Sequence, residues 1–176
     1  MSATTAGKLQ LRIDELSIND PAPLLAEARD LLLEYGRFVI SQPAAARFCF
    51  GTLENEAARL PLSYIEQGGG SLIARVGDSL AGFVAWRTVP VKVAADAWEL
   101  KRLWVRPLGR GLGLGRALTQ AVLDRAVHAG RKAVYLDTVP AAMPSAHRLY
   151  LDMGFRPCGP YNDNPVDDLA YLVKYL

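Results

Sequence analysis

The first half of the chain alternates between strand-like and helix-like patterns of apolar positions. Apolar residues at every second position over 9–13 predict a half-buried strand. Apolar residues at helical spacing predict a helix over 20–36, with Gly36 as its C-terminal cap, and a second helix over 52–60. The stretch between these two helices has no regular pattern.

From residue 71 onward, the pattern is mostly that of strands. Apolar runs predict strands over 71–76, 80–89, 97–105, 133–139, 156–158 and 169–176. Helical spacing predicts one helix that begins after residue 113 and ends at Gly130, and another that Ser145 caps and Gly154 ends. The resulting order, β-α-α-β-β-β-α-β-α-β-β, predicts an α/β (α+β) fold.

The stretch 103–118 combines a strand end, a glycine-rich loop and a helix start. Its glycines alternate with bulkier residues at Gly109, Gly111, Gly113 and Gly115. Glycine lets the backbone turn tightly and lets a ligand approach the main chain. Free N–H groups and the partial positive charge of a helix N-terminus attract anions, so the stretch predicts a phosphate or pyrophosphate site.

Spacing separates the phosphate loops that this stretch could be. A P-loop needs Gly-Lys-Ser or Gly-Lys-Thr, which occurs nowhere in the chain. A dinucleotide fingerprint G-x-G-x-x-G fails because Arg116 or Leu118 stands where the last glycine is needed. The spacing R-x-x-G-x-G does fit, with Arg110, Gly113 and Gly115. A simple glycine-rich turn between a strand and a helix is the alternative reading.

This spacing resembles the acetyl-coenzyme A signature of the GNAT N-acetyltransferase superfamily, [Q/R]-x-x-G-x-[G/A]. The preceding Val105-Arg106-Pro107 is also typical of that family, and 146–155 matches its context A-x-x-L-Y-x-x-x-G-F. The element order agrees as well, so the resemblance covers nearly the whole chain. It implies a single GNAT domain over 1–176, with a central mixed, mostly antiparallel sheet of six to seven strands and about four helices.

The resemblance also implies which residues bind acetyl-CoA. Loop residues 110–115 would offer N–H groups to the pyrophosphate, Arg116 would add a charge, and the strand end 103–105 would run beside the pantetheine arm. Ser145 stands near the place of an Asn that many family members use and this chain lacks. The implied cofactor-binding residues are Leu103, Trp104, Val105, Arg110, Gly111, Leu112, Gly113, Leu114, Gly115, Arg116 and Ser145.

Two residues are predicted to carry the chemistry. An alkyl amine with a pKa near ~10.4 is mostly protonated at neutral pH, so a base must remove its proton. Glu99, six residues before Val105, has the spacing of the glutamate base in some GNAT histone acetyltransferases; pairing with Lys101 or Arg102 is the alternative. Tyr150 matches the tyrosine that protonates the leaving thiolate in many members; a core tyrosine is the alternative.

Composition limits the other functions. The chain has 176 residues, 51% of them hydrophobic, and a net charge of +2, which does not favour a nucleic-acid partner. Cys49 and Cys158 make no disulfide framework, and with two histidines they make no zinc site, so no metal is expected. Without a signal core or a membrane-length apolar run, a cytoplasmic protein with no membrane contact is expected.

The sequence therefore predicts an acetyl-CoA-dependent N-acetyltransferase that modifies a primary amine of a small molecule or peptide by direct attack in a ternary complex. Segments 37–60, 90–96 and 160–165 are expected to form the acceptor wall. A homodimer is left open. The main alternative is a GNAT-fold regulatory module that binds CoA without transfer, and the third is a nucleotide-binding protein.

Overall fold

The computed structural model describes residues 10–45, 47, 50–90, 94 and 96–176. Leu9, Cys49 and most of the predicted loop 90–96 lie outside the described residues. Two short 3₁₀ turns, Pro43–Ala45 and Pro107–Gly109, precede helices.

The described elements are strands separated by helices, in the predicted order apart from one short additional helix over 62–65. They are β1 (Leu11–Glu15), α1 (Ala22–Ile40), α2 (Phe50–Ala58), α3 (Leu62–Ile65), β2 (Gly70–Val76), β3 (Ser79–Thr88), β4 (Ala97–Val105), α4 (Leu114–His128), β5 (Ala133–Thr138), α5 (Pro144–Asp152), β6 (Arg156–Pro157) and β7 (Ala170–Tyr175). The seven strands form one mixed, mostly antiparallel sheet, which confirms the predicted fold class.

The boundaries differ from the predicted ones at three helix ends. Helix α1 passes through Gly36 and ends at Ile40, because Val39 continues its buried face at 2% exposure. That burial outweighs the cost of about 1 kcal/mol for a glycine inside a helix. The predicted caps are also displaced, since α2 begins two residues before Thr52 and α5 begins one residue before Ser145.

The sheet is interrupted between one pair of neighbouring strands. The strand order is β1-β2-β3-β4-β5-β7-β6, and β4 and β5 are the only neighbours that run parallel. Their pairing covers only Ala97–Glu99 and Ala133–Tyr135. Beyond these residues the two strands are no longer paired, so the second half of β4 faces a gap in the middle of the sheet.

A β-bulge reshapes β4 at this gap. In the ladder with β3, Phe83 pairs with Trp104 but Ala85 pairs with Lys101, so Val84 faces two residues. One of them, Arg102, has a left-handed φ of 61°. A bulge breaks the alternation of side chains between the faces of a strand. Lys101 and Arg102 consequently line the same cavities although they are consecutive.

Each face of the sheet is covered by its own helices. Buried side chains of α4 and α5 pack on one face around Leu118, Val122 and Tyr150. Those of α1, α2 and α3 pack on the other face around Leu31, Leu53 and Tyr64. A sheet with helices on both faces leaves its interior accessible only at the edges and at the gap beside β4.

The core on the α4 side should respond to loss of packing. Leu118→Ala removes a side chain that is 0% exposed, and we expect the free energy of unfolding to fall by about 2–5 kcal/mol in urea titration. Leu151→Ala is the matched control because that leucine is 42% exposed, and it should change stability by about 0.5 kcal/mol or less. Equal losses in both variants would contradict this layering.

Candidate active site

Free backbone N–H groups collect at the start of α4. Gly111 and Gly113 have φ angles of 75° and 78°, which glycine adopts without strain. No side chain caps the helix at Gly113. Among the described residues, no acceptor receives the N–H groups of Gly111, Gly113, Leu114, Gly115 or Arg116. Unpaired N–H groups and a helix dipole make this end of α4 suited to an anion.

Two arginines add positive charge to this anion site. The guanidinium of Arg110 lies 5.4 Å from the ring centre of Trp104, and its Nε donates to the carbonyl of Val105 at 3.2 Å. Arg116 is exposed in the first turn of α4 and forms no ion pair with any described residue. Arg110 is therefore fixed to the end of β4, whereas Arg116 is available to a ligand.

A cleft of about 300 Å³, here called the loop cleft, opens beside these groups. Six of the residues predicted to bind the cofactor line it, namely Leu103, Trp104, Val105, Arg110, Gly115 and Ser145. Phe38 and Leu149 extend its apolar wall. Gly111, Leu112, Gly113 and Arg116 are exposed on the adjoining loop, whereas the side chain of Leu114 is buried in the core.

A small cavity of about 30 Å³, here called the junction cavity, lies in the gap between β4 and β5. It shares Leu103 and Ala146 with the loop cleft and Lys101, Arg102 and Asp137 with a third cavity described below. The side chain of Met143 lines all three. The junction cavity therefore connects the walls of the two larger spaces.

Tyr150 lines the junction cavity. It is 5% exposed, its ring meets Phe155 edge-on at 5.7 Å, and its hydroxyl forms no hydrogen bond with any described residue. Burial, followed by the charges of Tyr35 and Asp137, raises the pKa of Tyr150 well above its ordinary value. The group stays protonated at physiological pH, so it is a buried donor without an acceptor at the junction.

The third space is a cavity of about 350 Å³, here called the charged cavity. Its charged wall residues come from four elements and two loops, and they are Arg47, Glu56, Arg87, Lys101, Arg102, Asp137 and Asp163. The loop 162–166 also contributes to its wall, as expected for the acceptor segments, and so do α1 and α2. The charged cavity shares six wall residues with the junction cavity and only Met143 with the loop cleft.

Glu99 is buried behind the charged cavity and does not line it. Its carboxylate accepts from Arg87 Nε at 2.6 Å, the Tyr161 hydroxyl at 3.0 Å, Asn162 Nδ2 at 3.3 Å and Lys101 Nζ at 3.4 Å. Burial raises the pKa of Glu99, but Lys101, Arg87 and these hydrogen bonds together bring it below its ordinary value. The pairing with Lys101 that the sequence left open is therefore present.

A second buried ion pair holds the bulge residue Arg102. Its Nε and Nη2 donate to the two carboxylate oxygens of Glu56, each at 3.0 Å, and the Tyr64 hydroxyl donates to Glu56 at 2.7 Å. Burial raises the pKa of Glu56, yet the arginine lowers it overall. The two-pronged geometry fixes the direction of the Arg102 side chain.

Asp137, near the end of β5, lines both the junction cavity and the charged cavity. Its Oδ2 accepts from Asn162 Nδ2 at 2.7 Å and Asn164 Nδ2 at 3.2 Å. No donor from the described residues reaches its Oδ1, and no described cation forms an ion pair with it. Asp137 thus combines a fixed orientation with a free carboxylate oxygen.

The sequence analysis did not select Asp137, Lys101 or Arg87 for a role at the site. A usable signal existed for Asp137, which is an acidic residue at the end of an otherwise apolar β-prone run. The cations gave no such signal, because their shared position depends on the bulge. None of the helices in the described part of the chain has the length and apolar character of a membrane crossing. No cluster of potential metal ligands occurs among the described residues.

The sheet with a gap between two parallel strands, a glycine-rich anion loop and a buried tyrosine defines an acyltransferase-like site. Residues 26–155 match the model of the Acetyltransferase (GNAT) family. The match covers most of the chain, and the protein belongs to this family.

Relatives and solved structures agree with this assignment. The chain is 35% identical to N-acetyltransferase 8 of Mus musculus over 69% of its own length and 52% of that protein's. It is 38% identical to an uncharacterized N-acetyltransferase of Schizosaccharomyces pombe over 42% of its length and 45% of the relative's. The chain thus spans about half the length of the curated relatives it matches.

Structural similarity extends over nearly the whole chain. An acetyltransferase of Streptococcus agalactiae superposes with a TM-score of 0.73 at 21% identity, covering 94% of this chain and 98% of that one. An acetyltransferase of Salmonella typhimurium, solved with its cofactor acetyl-CoA, gives a TM-score of 0.64 at 17% identity over 94% and 93% of the two chains. These similarities confirm the fold.

The anion loop can be tested with a pair of glycine variants. Gly113→Val should weaken acetyl-CoA binding, measured by calorimetry, because the side chain occupies the space in front of the free N–H groups. A Cβ at Gly113 meets no protein atom within 4 Å, so the expected effect is on the ligand and on backbone strain.

Gly77→Val is the matched control for backbone strain. Gly77 also has a left-handed φ, 58°, and open space around its Cβ, but it lies in the turn between β2 and β3. This variant should lose similar stability and keep its affinity for acetyl-CoA. Unchanged affinity in a folded Gly113→Val protein would contradict the assignment of the loop.

Proposed function

We propose that the protein is an acetyl-CoA-dependent N-acetyltransferase that modifies a primary amine of a small molecule or peptide. The observation that carries the proposal is the junction cavity, which shares walls with the loop cleft on one side and the charged cavity on the other. Donor and acceptor can approach it from opposite sides, as direct attack in a ternary complex requires. The single domain and the cytoplasmic location stay predictions from the sequence.

The loop cleft fits the proposed donor. The unpaired N–H groups near Gly113 would bind the pyrophosphate, and the end of β4 with Ser145 would hold the pantetheine arm. Acetyl-CoA supplies the acetyl group as a thioester, whose carbon bonds to the amine nitrogen while the sulfur leaves as a thiolate that needs a proton. The bulge leaves Arg102 and Leu103 without Cα partners in the ladder with β3, and we propose that a backbone N–H at this point stabilises the developing oxyanion.

A regulatory module that only binds CoA has less support. Such a module needs the anion loop but neither a second large cavity nor a buried donor at the junction. Here the charged cavity and the unpartnered hydroxyl of Tyr150 both adjoin the junction cavity. Calorimetry with acetyl-CoA, followed by a screen of amines for release of free thiol, tests the proposal. Binding without acetylation of any amine would favour the module.

Tyr150 is proposed to protonate the leaving thiolate. Tyr150→Phe removes one oxygen and little volume, so we expect kcat to fall roughly tenfold or more while the affinity for acetyl-CoA stays nearly unchanged. The raised pKa keeps the hydroxyl protonated but also makes it a weaker acid, so the support for this role is the position of Tyr150 at the junction cavity and its lack of an acceptor among the described residues.

Thermal unfolding of the same preparation distinguishes this role from packing. Tyr171→Phe, on β7 and outside the junction cavity, is the control for loss of a partly buried hydroxyl. A normal kcat in Tyr150→Phe together with a lower Tm would remove Tyr150 from the chemistry.

Proton removal from the amine has two candidate carboxylates. Glu99 was predicted for this role, but its oxygens accept four hydrogen bonds behind the cavity wall, and a lowered pKa makes a weaker base. Asp137 has a free oxygen in the wall of the junction cavity. We therefore propose Asp137 as the base, directly or through water, and Glu99 as the residue that positions Arg87 and Lys101.

The pH dependence of kcat separates the two carboxylates. Asp137→Asn should lower kcat by roughly 10²-fold at neutral pH, with partial recovery at higher pH because more of the amine is then already unprotonated. Glu99→Gln should raise KM for the acceptor and leave the shape of the pH profile unchanged. Recovery with pH in Glu99→Gln, and not in Asp137→Asn, would return the base role to Glu99.

A further inference from the structure

The bulge in β4 gathers cations on the wall of the charged cavity, and they are unevenly paired with carboxylates. Lys101 and Arg102 line the same wall because they flank the break in alternation, and Arg87 lies on the neighbouring strand β3. Arg102 is matched by Glu56 in a two-pronged pair. Arg87 and Lys101, by contrast, share the single carboxylate of Glu99.

A count of donors shows what Glu99 leaves unsatisfied. Arg87 gives Nε to Glu99 and Nη1 to Gln67, and no described residue accepts from its Nη2. Lys101 is 13% exposed, and its ammonium makes one long contact of 3.4 Å although it carries three protons. A buried ammonium with so few acceptors is unfavourable unless a ligand supplies more. Both side chains belong to the wall of the charged cavity, so that ligand would enter there.

The free carboxylate oxygen of Asp137 and the unsatisfied donors of Arg87 lie at different ends of the charged cavity. Asp137 and Lys101 line both the junction cavity and the charged cavity, whereas Arg87 lines the charged cavity alone. The free carboxylate oxygen of Asp137 therefore lies at the end nearest the proposed reaction, and the unsatisfied donors extend from Lys101 away from it. Asp163, in the same wall, and the exposed pair of Arg47 with Asp167 do not supply an acceptor to Arg87 or Lys101.

We propose that the acceptor is a small amine with a carboxylate close to it, of the α-amino acid type, whose carboxylate binds to Lys101 and Arg87 while its amine faces Asp137. The proposal rests on the proposed N-acetyltransferase function. A cavity of about 350 Å³ lies within the range of small-molecule sites and suits an acceptor of this size. Paired recognition of both charges also selects against amines that lack the carboxylate, because these supply no acceptor to the remaining N–H donors of Arg87 and Lys101.

The test compares matched acceptors that differ only in the carboxylate. Release of free thiol from acetyl-CoA is measured with a set of α-amino acids, with their primary amides and with simple alkyl amines. We expect kcat/KM for at least one acid to exceed that for its own amide by about tenfold or more, since a charge-assisted hydrogen bond is lost in the amide. Amides or alkyl amines preferred over every acid would overturn the proposal and leave the N-acetyltransferase function intact. Transfer to none of the three sets would overturn both.

Variants of Arg87 and Lys101 test whether these two cations cause the preference for acceptors with a carboxylate. Arg87→Gln and Lys101→Gln should each reduce the acid-to-amide ratio of kcat/KM toward one, with acetyl-CoA affinity by calorimetry reporting that the protein is folded. Arg12→Gln removes an exposed cation on β1, outside the cavities, and should keep the ratio. Arg87 is more exposed than Lys101, so Arg87→Gln is the variant in which the ratio is measured if Lys101→Gln does not fold. A ratio unchanged in a folded Arg87→Gln protein would overturn the proposed carboxylate contact.

Discussion

The site depends on one interruption of hydrogen bonding, the point where β4 and β5 stop pairing after Glu99 and Tyr135. Parallel strands usually stay paired, because unpaired backbone groups inside a protein cost free energy unless something else satisfies them. Here the space between the strands is lined by side chains from both of them and from α5. The walls of all three cavities meet beside this gap, where Met143 lines each of them.

The electrostatics of the site follow from the same interruption. Cationic side chains from β3 and β4 are buried near the gap, and burial lowers the pKa of Lys101, with Arg102 acting in the same direction and Glu99 opposing it. The three carboxylates at the site have different partners. Glu99 is shared by two cations, Glu56 pairs with a single arginine, and Asp137 accepts hydrogen bonds from two side-chain amides. These three arrangements distinguish carboxylates that look alike in the sequence.

The sequence predicted the fold well, because the fold depends on local patterns. Periodicity located nearly every element, and the spacing of Arg110, Gly113 and Gly115 identified the loop before α4. At Gly36 tertiary packing outweighed the local signal for a helix end, because α1 continues for another turn in which Val39 is buried. Tyr150 was found because its surroundings form a continuous motif, and its place at the junction cavity agrees with the predicted role without testing it.

The acceptor side could not be predicted in the same way. Lys101 and Arg87 become neighbours only through strand register, and the loop that carries Asn162 reaches Glu99 and Asp137 across more than one strand. Spacing along the chain contains none of this information. Glu99 was selected from spacing alone, which indicated its strand position but not the donors that surround it.

The left-handed backbone of Arg102 has a consequence for how the enzyme could evolve. Such a conformation costs a non-glycine residue about 1–3 kcal/mol, and the pair with Glu56 is the contact that holds its side chain in place. Glu56 belongs to α2, which lines none of the loop cleft. Helix α2 thus helps to hold the bulged conformation of β4. Substitutions in α2 would therefore change the wall of the charged cavity without touching the loop cleft, which gives the fold a way to vary one cavity independently of the other.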